Sequence, residues 1–331
     1  MNFKVLGKTG INVSRIGFGA ASLGDSRKES SRADSLRAVR AALDGGINLI
    51  DVSPYYGATE AERVVGQGIS DWPRDQVIIA TKAGRYGNDE FDFSPRRLVK
   101  SLDESLTRLN TDYIDIFQLH DVEYADLDYI VNESIPAIIR LKESGKIRFV
   151  GVTAYPIRTL RTILERAEVD TILSHCRYSI NDTSIETLRP LIERTNAGLI
   201  HTSPFSMGLL TQRGPFQWHP APNALKEACR AAADFCVRQG SDIAKLALQF
   251  SLQAEWIPTT VLGSSSPETV ERNLRLAEEP LDQELLAGVR AILQPVLNLA
   301  WTSGRPENND PQPTSGTRSG PKELNRWTAR S

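Results

Sequence analysis

Short apolar runs alternate with stretches of helical period along most of the chain. The run Ile47 to Ile50 stops at Asp51 and turns through Ser53 and Pro54 into a loop that ends at Tyr56 and Gly57. Val77 to Thr81 runs into Lys82, and Tyr113 to Leu119 runs into His120. Amphipathic segments separate these runs. Ser31 to Asp44 carries Leu36, Val39, Ala42 and Leu43 on one stripe, and Gly45 and Gly46 stop it. Glu60 to Ile69 reads as a second helix. Ser94 and Pro95 open a third, with Leu98, Leu102, Leu106 and Leu109 on its inner face, and a fourth is expected over 127–144, ended by Gly145.

Further strands are expected over 15–19, 148–153, 171–174, 198–202 and 259–262, with helices near 157–167, 183–195, 222–239, 242–253 and 267–276. Counting from Arg15 gives eight strands separated by helical segments. Open doubly wound sheets usually have fewer repeats and an early glycine-rich fingerprint, so the expectation is an α/β fold closed as a (β/α)8 TIM barrel. Apolar stretches on either side of Gly7 to Gly10 read as an N-terminal β-hairpin. The composition shifts near Asn298 toward Pro, Gly, Ser and Asn. A barrel domain is therefore expected over 1–303, followed by a loosely structured tail over 304–331.

The chain has 331 residues, 40% hydrophobic and 24% charged, which is ordinary for one large globular core. A net charge of −2 offers no basic surface, so neither nucleic acid nor an anionic membrane is expected as a partner. No apolar run reaches the length of a membrane span, and Met1 to Val5 does not start a signal peptide, so a cytoplasmic location is expected. Cys229 and Cys236 would lie about 10 Å apart on a helix rising ~1.5 Å per residue, too far to bridge. With Cys176 they read as core thiols, and no metal site is expected.

Three strands that end on Asp51, Lys82 and His120, with Tyr56 in the loop after the first, suggest one site at the carboxyl end of a parallel sheet. A free phenol has a pKa near ~10. An ammonium beside it favours the phenolate, and a carboxylate beyond the ammonium keeps the lysine charged and oriented. His120 is placed to donate to a substrate oxygen. Such a set suits proton transfer at a carbonyl/alcohol pair, and since none of these side chains accepts a hydride, a cofactor must. The loop Ser203 to Leu210 and the loop Gly263 to Ser266, which leads into a helix start, offer places for one, the latter through free backbone donors for phosphate. A lysine at a barrel strand end also serves Schiff-base lyases, which borohydride trapping on Lys82 would reveal.

The spacing Asp51, Tyr56, Gly57, Lys82 and His120 resembles the tetrad of the aldo-keto reductases. So does the opening Leu6, Gly7, Thr9, Gly10, Val13, Ser14, Gly17, Phe18 and Gly19. The resemblance implies a nicotinamide cofactor bound extended, hydride transfer at its ring, and Tyr56 as proton donor or acceptor. It assigns to cofactor binding Gly19, Ala20, Asp51, Thr153, Ser174, His175, Ser203, Pro204, Phe205, Met207, Gly208, Leu209, Gly263, Ser264, Ser265, Ser266, Thr269, Arg272 and Asn273. Phe91 to Ser94, Leu119 to Glu123, Met207 to Thr211, Trp218 to Pro220 and Asn298 to Trp301 are similar to segments of the family's plant L-galactose dehydrogenases. The implied reaction is oxidation of the C1 hydroxyl of L-galactose or a related sugar such as L-fucose to the lactone. An NADPH-dependent reductase of general aldehydes and ketones is the alternative. Members that use NADP carry basic residues where this chain reads Gly263 to Thr269, and none is present there, so NAD is expected, with Arg272 leaving NADP possible. Thr153 and Ala154 replace a commoner Ser-Asn pair, and His175 replaces a Gln. Substrate choice is expected to lie in the loops around 85–93, 121–125 and 205–220 and near Trp301.

Overall fold

The computed structural model describes residues 1–24 and 31–311. A hairpin, β1 (Phe3–Val5) and β2 (Asn12–Ser14), precedes β3 (Ile16–Gly19), α1 (Arg32–Asp44), β4 (Leu49–Asp51), α2 (Glu60–Gly68), β5 (Ile78–Ala83), α3 (Pro95–Leu109) and β6 (Ile114–Leu119). Then come α4 (Leu127–Tyr129), α5 (Ile135–Glu143), β7 (Ile147–Ala154), α6 (Ile157–Arg166), β8 (Thr171–His175), α7 (Arg189–Thr195) and β9 (Gly198–Thr202). The chain continues through α8 (Asn223–Arg238), α9 (Ile243–Gln253), β10 (Thr259–Gly263), α10 (Pro267–Glu278) and α11 (Gln283–Leu293). Strands β3 to β10 pair in parallel and close as β10 meets β3, giving the expected eight-stranded barrel. The three cysteines are free and buried.

Local chemistry explains the helix ends. The Ser31 hydroxyl accepts the Asp34 amide while Asp34 accepts the Ser31 amide, a capping box that satisfies two orphan donors of α1. Ser94 caps α3, Pro95 fits its first turn, and Asn110 ends it at φ 51°. The helix expected over 127–144 is split. Pro136 has no N–H to give back to the preceding turn, and the backbone widens into a π turn over Ile130–Ser134, where the Ile135 amide bonds the Ile130 carbonyl.

Strand side chains alternate between the two faces of the sheet. Leu49, Ile78, Ala80, Ile116, Leu173, Ile200 and Val261 point into the barrel and pack with Leu6 and Val13 of the hairpin, which seals its amino-terminal end. There Gly7, at φ 50°, lies so close to the loop before β9 that an added Cβ would be 2.5 Å from the Gly198 nitrogen. The same parity brings Asp51, Lys82 and Gln118 into the interior one step above that apolar floor. A larger core fills the space between sheet and helices.

The tail expected to be loose from residue 304 is packed as far as Asp310. Asn308 Nδ2 donates to the carbonyls of Glu123 and Ala125 at 2.9 Å each. The Asp310 carboxylate takes the Ile157 and Arg158 amides at the start of α6, at 3.2 and 2.7 Å, and Arg177 at 2.8 Å. A polar segment with little apolar content thus docks by satisfying buried carbonyls and a helix amino terminus. Residues 312–331 of that expected tail lie outside the described residues.

Candidate active site

Lys82 is 1% exposed and its three ammonium donors are all taken. They go to Asp51 Oδ1 at 2.6 Å, the Val52 carbonyl at 3.0 Å and the Tyr56 hydroxyl at 3.1 Å. Gln118 Nε2 holds the other Asp51 oxygen at 3.2 Å. Burial pulls the Lys82 pKa down, but Asp51 and Tyr56 more than offset it, so the ammonium stays charged. The Tyr56 ring stands edge-on to His120, centroids 5.7 Å apart.

The phenol behaves differently from the sequence-based expectation. Burial is the largest influence on Tyr56 and outweighs the pull of Lys82, pushing its pKa up to about 12. Lys82 acts in the expected direction, yet the resting group is a phenol rather than a partial phenolate. His120 is pushed down to about 3, mainly by burial, and is neutral at pH 7. Its Nδ1 pairs with Ser53 Oγ at 3.0 Å, and that oxygen also accepts the Tyr55 amide. With the Ser53 hydroxyl donating to Nδ1, the ring proton sits on Nε2, facing the cavity and 3.7 Å from Asp121 Oδ2.

These groups line a cavity of about 1060 Å³ that also reaches Gly19, Thr153, His175, Ser203, Pro204, Phe205, Met207, Gly208 and Gly263. Ala20, Ser174, Leu209, Ser264, Ser265, Ser266, Thr269, Arg272 and Asn273 do not line it. Ala20 and Leu209 are buried beside it. Residues 264–273 continue from β10 into α10, whose Ser266 cap accepts the Thr269 amide. Thr153 reaches the cavity with its hydroxyl already committed to Asp121, accepting its amide at 2.8 Å and donating to Oδ1 at 3.1 Å. His175, pushed down to about 4 chiefly by burial, is neutral and sits against Thr202, Ser203 and Met207. The Ser174 hydroxyl is buried without a hydrogen-bond partner among the described residues. Ser203, Ser206 and Met207 all hold left-handed φ values of 50° to 60°, strain of a kind that concentrates at ligand loops.

Sequence reasoning located the surrounding loops but not their side chains. Arg85, Asn88, Asp121, Glu123, Tyr155, Trp218 and Ser303 are among the further residues of the wall. Tyr155 and Trp301 stack at 4.5 Å, and Arg177 fixes the Tyr155 hydroxyl from behind at 3.2 Å. Their one sequence signal is adjacency: Arg85, Asp121 and Glu123 follow the ends of β5 and β6 at which Lys82 and His120 had been placed.

Glu123 is 1% exposed, and its Oε2 has no hydrogen-bond partner among the described residues. Burial, aided by Asp121, pushes its pKa up to about 8. The folded state then holds a proton that the unfolded chain releases above pH ~4.3. Stability should fall as pH rises from there through about 8. Glu123→Gln should flatten that decline, measured as urea midpoints at pH 5 and pH 9; an unchanged difference would refute the assignment.

Among the described residues no group of His, Cys, Asp and Glu could hold a metal, and no helix is long and apolar enough to cross a membrane. The model of the Aldo/keto reductase family matches residues 15–294. The chain is 45% identical over 317 residues to L-galactose dehydrogenase of Arabidopsis thaliana, covering 93% of this chain and 99% of the relative. It is 32% identical over 297 residues to D-arabinose 1-dehydrogenase of Saccharomyces cerevisiae, covering 81% and 87%. Among solved structures it is similar to an aldo-keto reductase of Bacillus halodurans in its holo form, with a TM-score of 0.75, 28% identity and coverage of 91% and 98%.

Proposed function

We propose, from the fact that this chain belongs to the aldo/keto reductase family, that it oxidises the C1 hydroxyl of an aldose, L-galactose or a related sugar, to the lactone with NAD as acceptor. The observation that carries the reading is the closed chain of contacts Asp51–Lys82–Tyr56 beside a neutral His120 at the floor of the cavity. Relatives named as an L-galactose dehydrogenase and a D-arabinose 1-dehydrogenase supply the substrate class.

The residues present fit a nicotinamide cofactor. The His175 ring on the cavity wall would meet its carboxamide, with Ser174 next to it at the end of β8, and Gly19 and Gly263 leave the backbone bare on one wall. Ala20 and the Ser203 to Leu209 loop would flank it, with Arg272 and Asn273 toward the adenine. When bound, the cofactor supplies the hydride acceptor. The protein's own part is the proton. His120 Nε2 donates to the C1 oxygen and fixes its angle, and Tyr56, once its own proton has passed to solvent, takes the hydroxyl proton as C1 loses its hydride. Lys82 stabilises the charge on the tyrosine oxygen, and Asp51, held by Gln118, keeps Lys82 charged and aimed.

NAD is favoured over NADP by charge at the start of α10. No cation occurs between Ser264 and Thr269, and Glu268, bonded by the Ser266 hydroxyl at 2.6 Å, has its pKa lowered by that bond. An anion there opposes a 2′-phosphate. Initial rates with L-galactose, L-fucose, D-arabinose and L-glucose, each with NAD and NADP, test the reading. Turnover of at least one sugar with NAD ahead of NADP is expected. No sugar turnover, alongside NADPH-driven reduction of simple aldehydes, would instead select the general reductase.

A further inference from the structure

Asp121 is a carboxylate in the cavity with no part in the proton chain. Its backbone sits at φ 56°, in the left-handed region that Asp tolerates better than most residues but that still stores strain. Three contacts hold it there. The Thr153 hydroxyl takes its amide and donates to Oδ1, and Arg85 Nη1 lies 2.5 Å from Oδ2. The guanidinium is itself confined by rings, 4.2 Å from the Tyr55 centroid, 5.4 Å from Phe91 and 5.5 Å from Tyr124. The carboxylate therefore cannot swing away. Its Oδ2 accepts from Arg85 and, as a carboxylate oxygen, retains acceptor capacity.

That oxygen stands 3.7 Å from His120 Nε2. A donor and an acceptor side by side at this distance, both facing the cavity, match two neighbouring oxygens on one ligand. A simple aldehyde or ketone offers only the first.

We propose that Asp121, positioned by Arg85 and Thr153, is a specificity-determining residue that accepts a hydrogen bond from the hydroxyl on the carbon next to the reacting one. The enzyme thereby selects aldoses that carry a 2-hydroxyl over 2-deoxy sugars and plain carbonyl compounds. This rests on the reading of His120 and Tyr56 as the pair that meets the C1 oxygen.

The test compares kcat/KM for L-galactose and 2-deoxy-L-galactose in the wild type, Asp121→Asn and Asp121→Ala, with NAD affinity measured on each as a check of folding. Losing a hydrogen bond to a charged acceptor should cost about 10- to 100-fold on L-galactose in the alanine variant. The loss on the 2-deoxy sugar should be no more than about 3-fold, so discrimination collapses. Intrinsic reactivity differences between the sugars cancel in that ratio of ratios, and Asp121→Asn, which keeps an acceptor oxygen, should fall between. Equal losses on both sugars with NAD affinity intact would show a merely structural role and overturn the proposal. Turnover of neither sugar by the wild type would instead sink the underlying sugar-oxidation reading, and the proposal with it.

Discussion

Tyr56→Phe should lower kcat for sugar oxidation by about 10²- to 10⁴-fold, the usual contribution of a positioned proton-transfer group. The change deletes one oxygen and leaves the ring packed edge-on against His120, so the cavity keeps its shape. NAD affinity should stay within a factor of about two, since among the described residues the hydroxyl's one hydrogen-bond partner is Lys82. Steady-state kinetics with a parallel fluorescence titration of NAD check both halves. A variant that keeps near wild-type turnover would remove Tyr56 from the chemistry.

Lys82→Met should abolish turnover and also destabilise the fold by about 3–5 kcal/mol, because it leaves the Asp51 carboxylate buried without its cation. Asp51 is only 3% exposed and, among the described residues, retains a single side-chain donor, Gln118. Adding Asp51→Asn removes the stranded charge, so the double variant should recover most of the stability and none of the activity. Urea midpoints and kcat on the three proteins separate the two roles. A Lys82→Met protein with an unshifted midpoint would mean that the pair is not the buried ion pair described here.

Much of this site was legible because a barrel strand shows its register in its own sequence. Leu49 and Asp51, or Ala80 and Lys82, are two apart, so whatever fixes the apolar residue inward fixes the polar one above it. The barrel itself followed from counting repeats. What could not be read depends on contacts between distant segments. Arg85, Asp121 and Thr153 come from three different loop or strand ends, and only closure of the barrel brings them together. Helix α11 was not anticipated. Gly288 at its middle weakens helical propensity, yet it lets α11 approach α8, where an added Cβ would lie 2.6 Å from the Phe235 ring. The packed segment to Asp310 was hidden for a related reason, since composition cannot register that Asp310 finds Arg177 and a helix start. The protonated state of Tyr56 follows from the depth of burial, which pattern alone does not measure.

The whole mechanism turns on a buried phenol that must part with its proton before it can take one from the sugar. The most direct measurement is kcat/KM for L-galactose oxidation with NAD between about pH 6 and pH 10. With Tyr56 protonated at rest and its pKa far above neutrality, the rate should climb by about tenfold per pH unit, and that slope should be absent in Tyr56→Phe. A flat profile, or the same climb in the phenylalanine variant, would contradict the account.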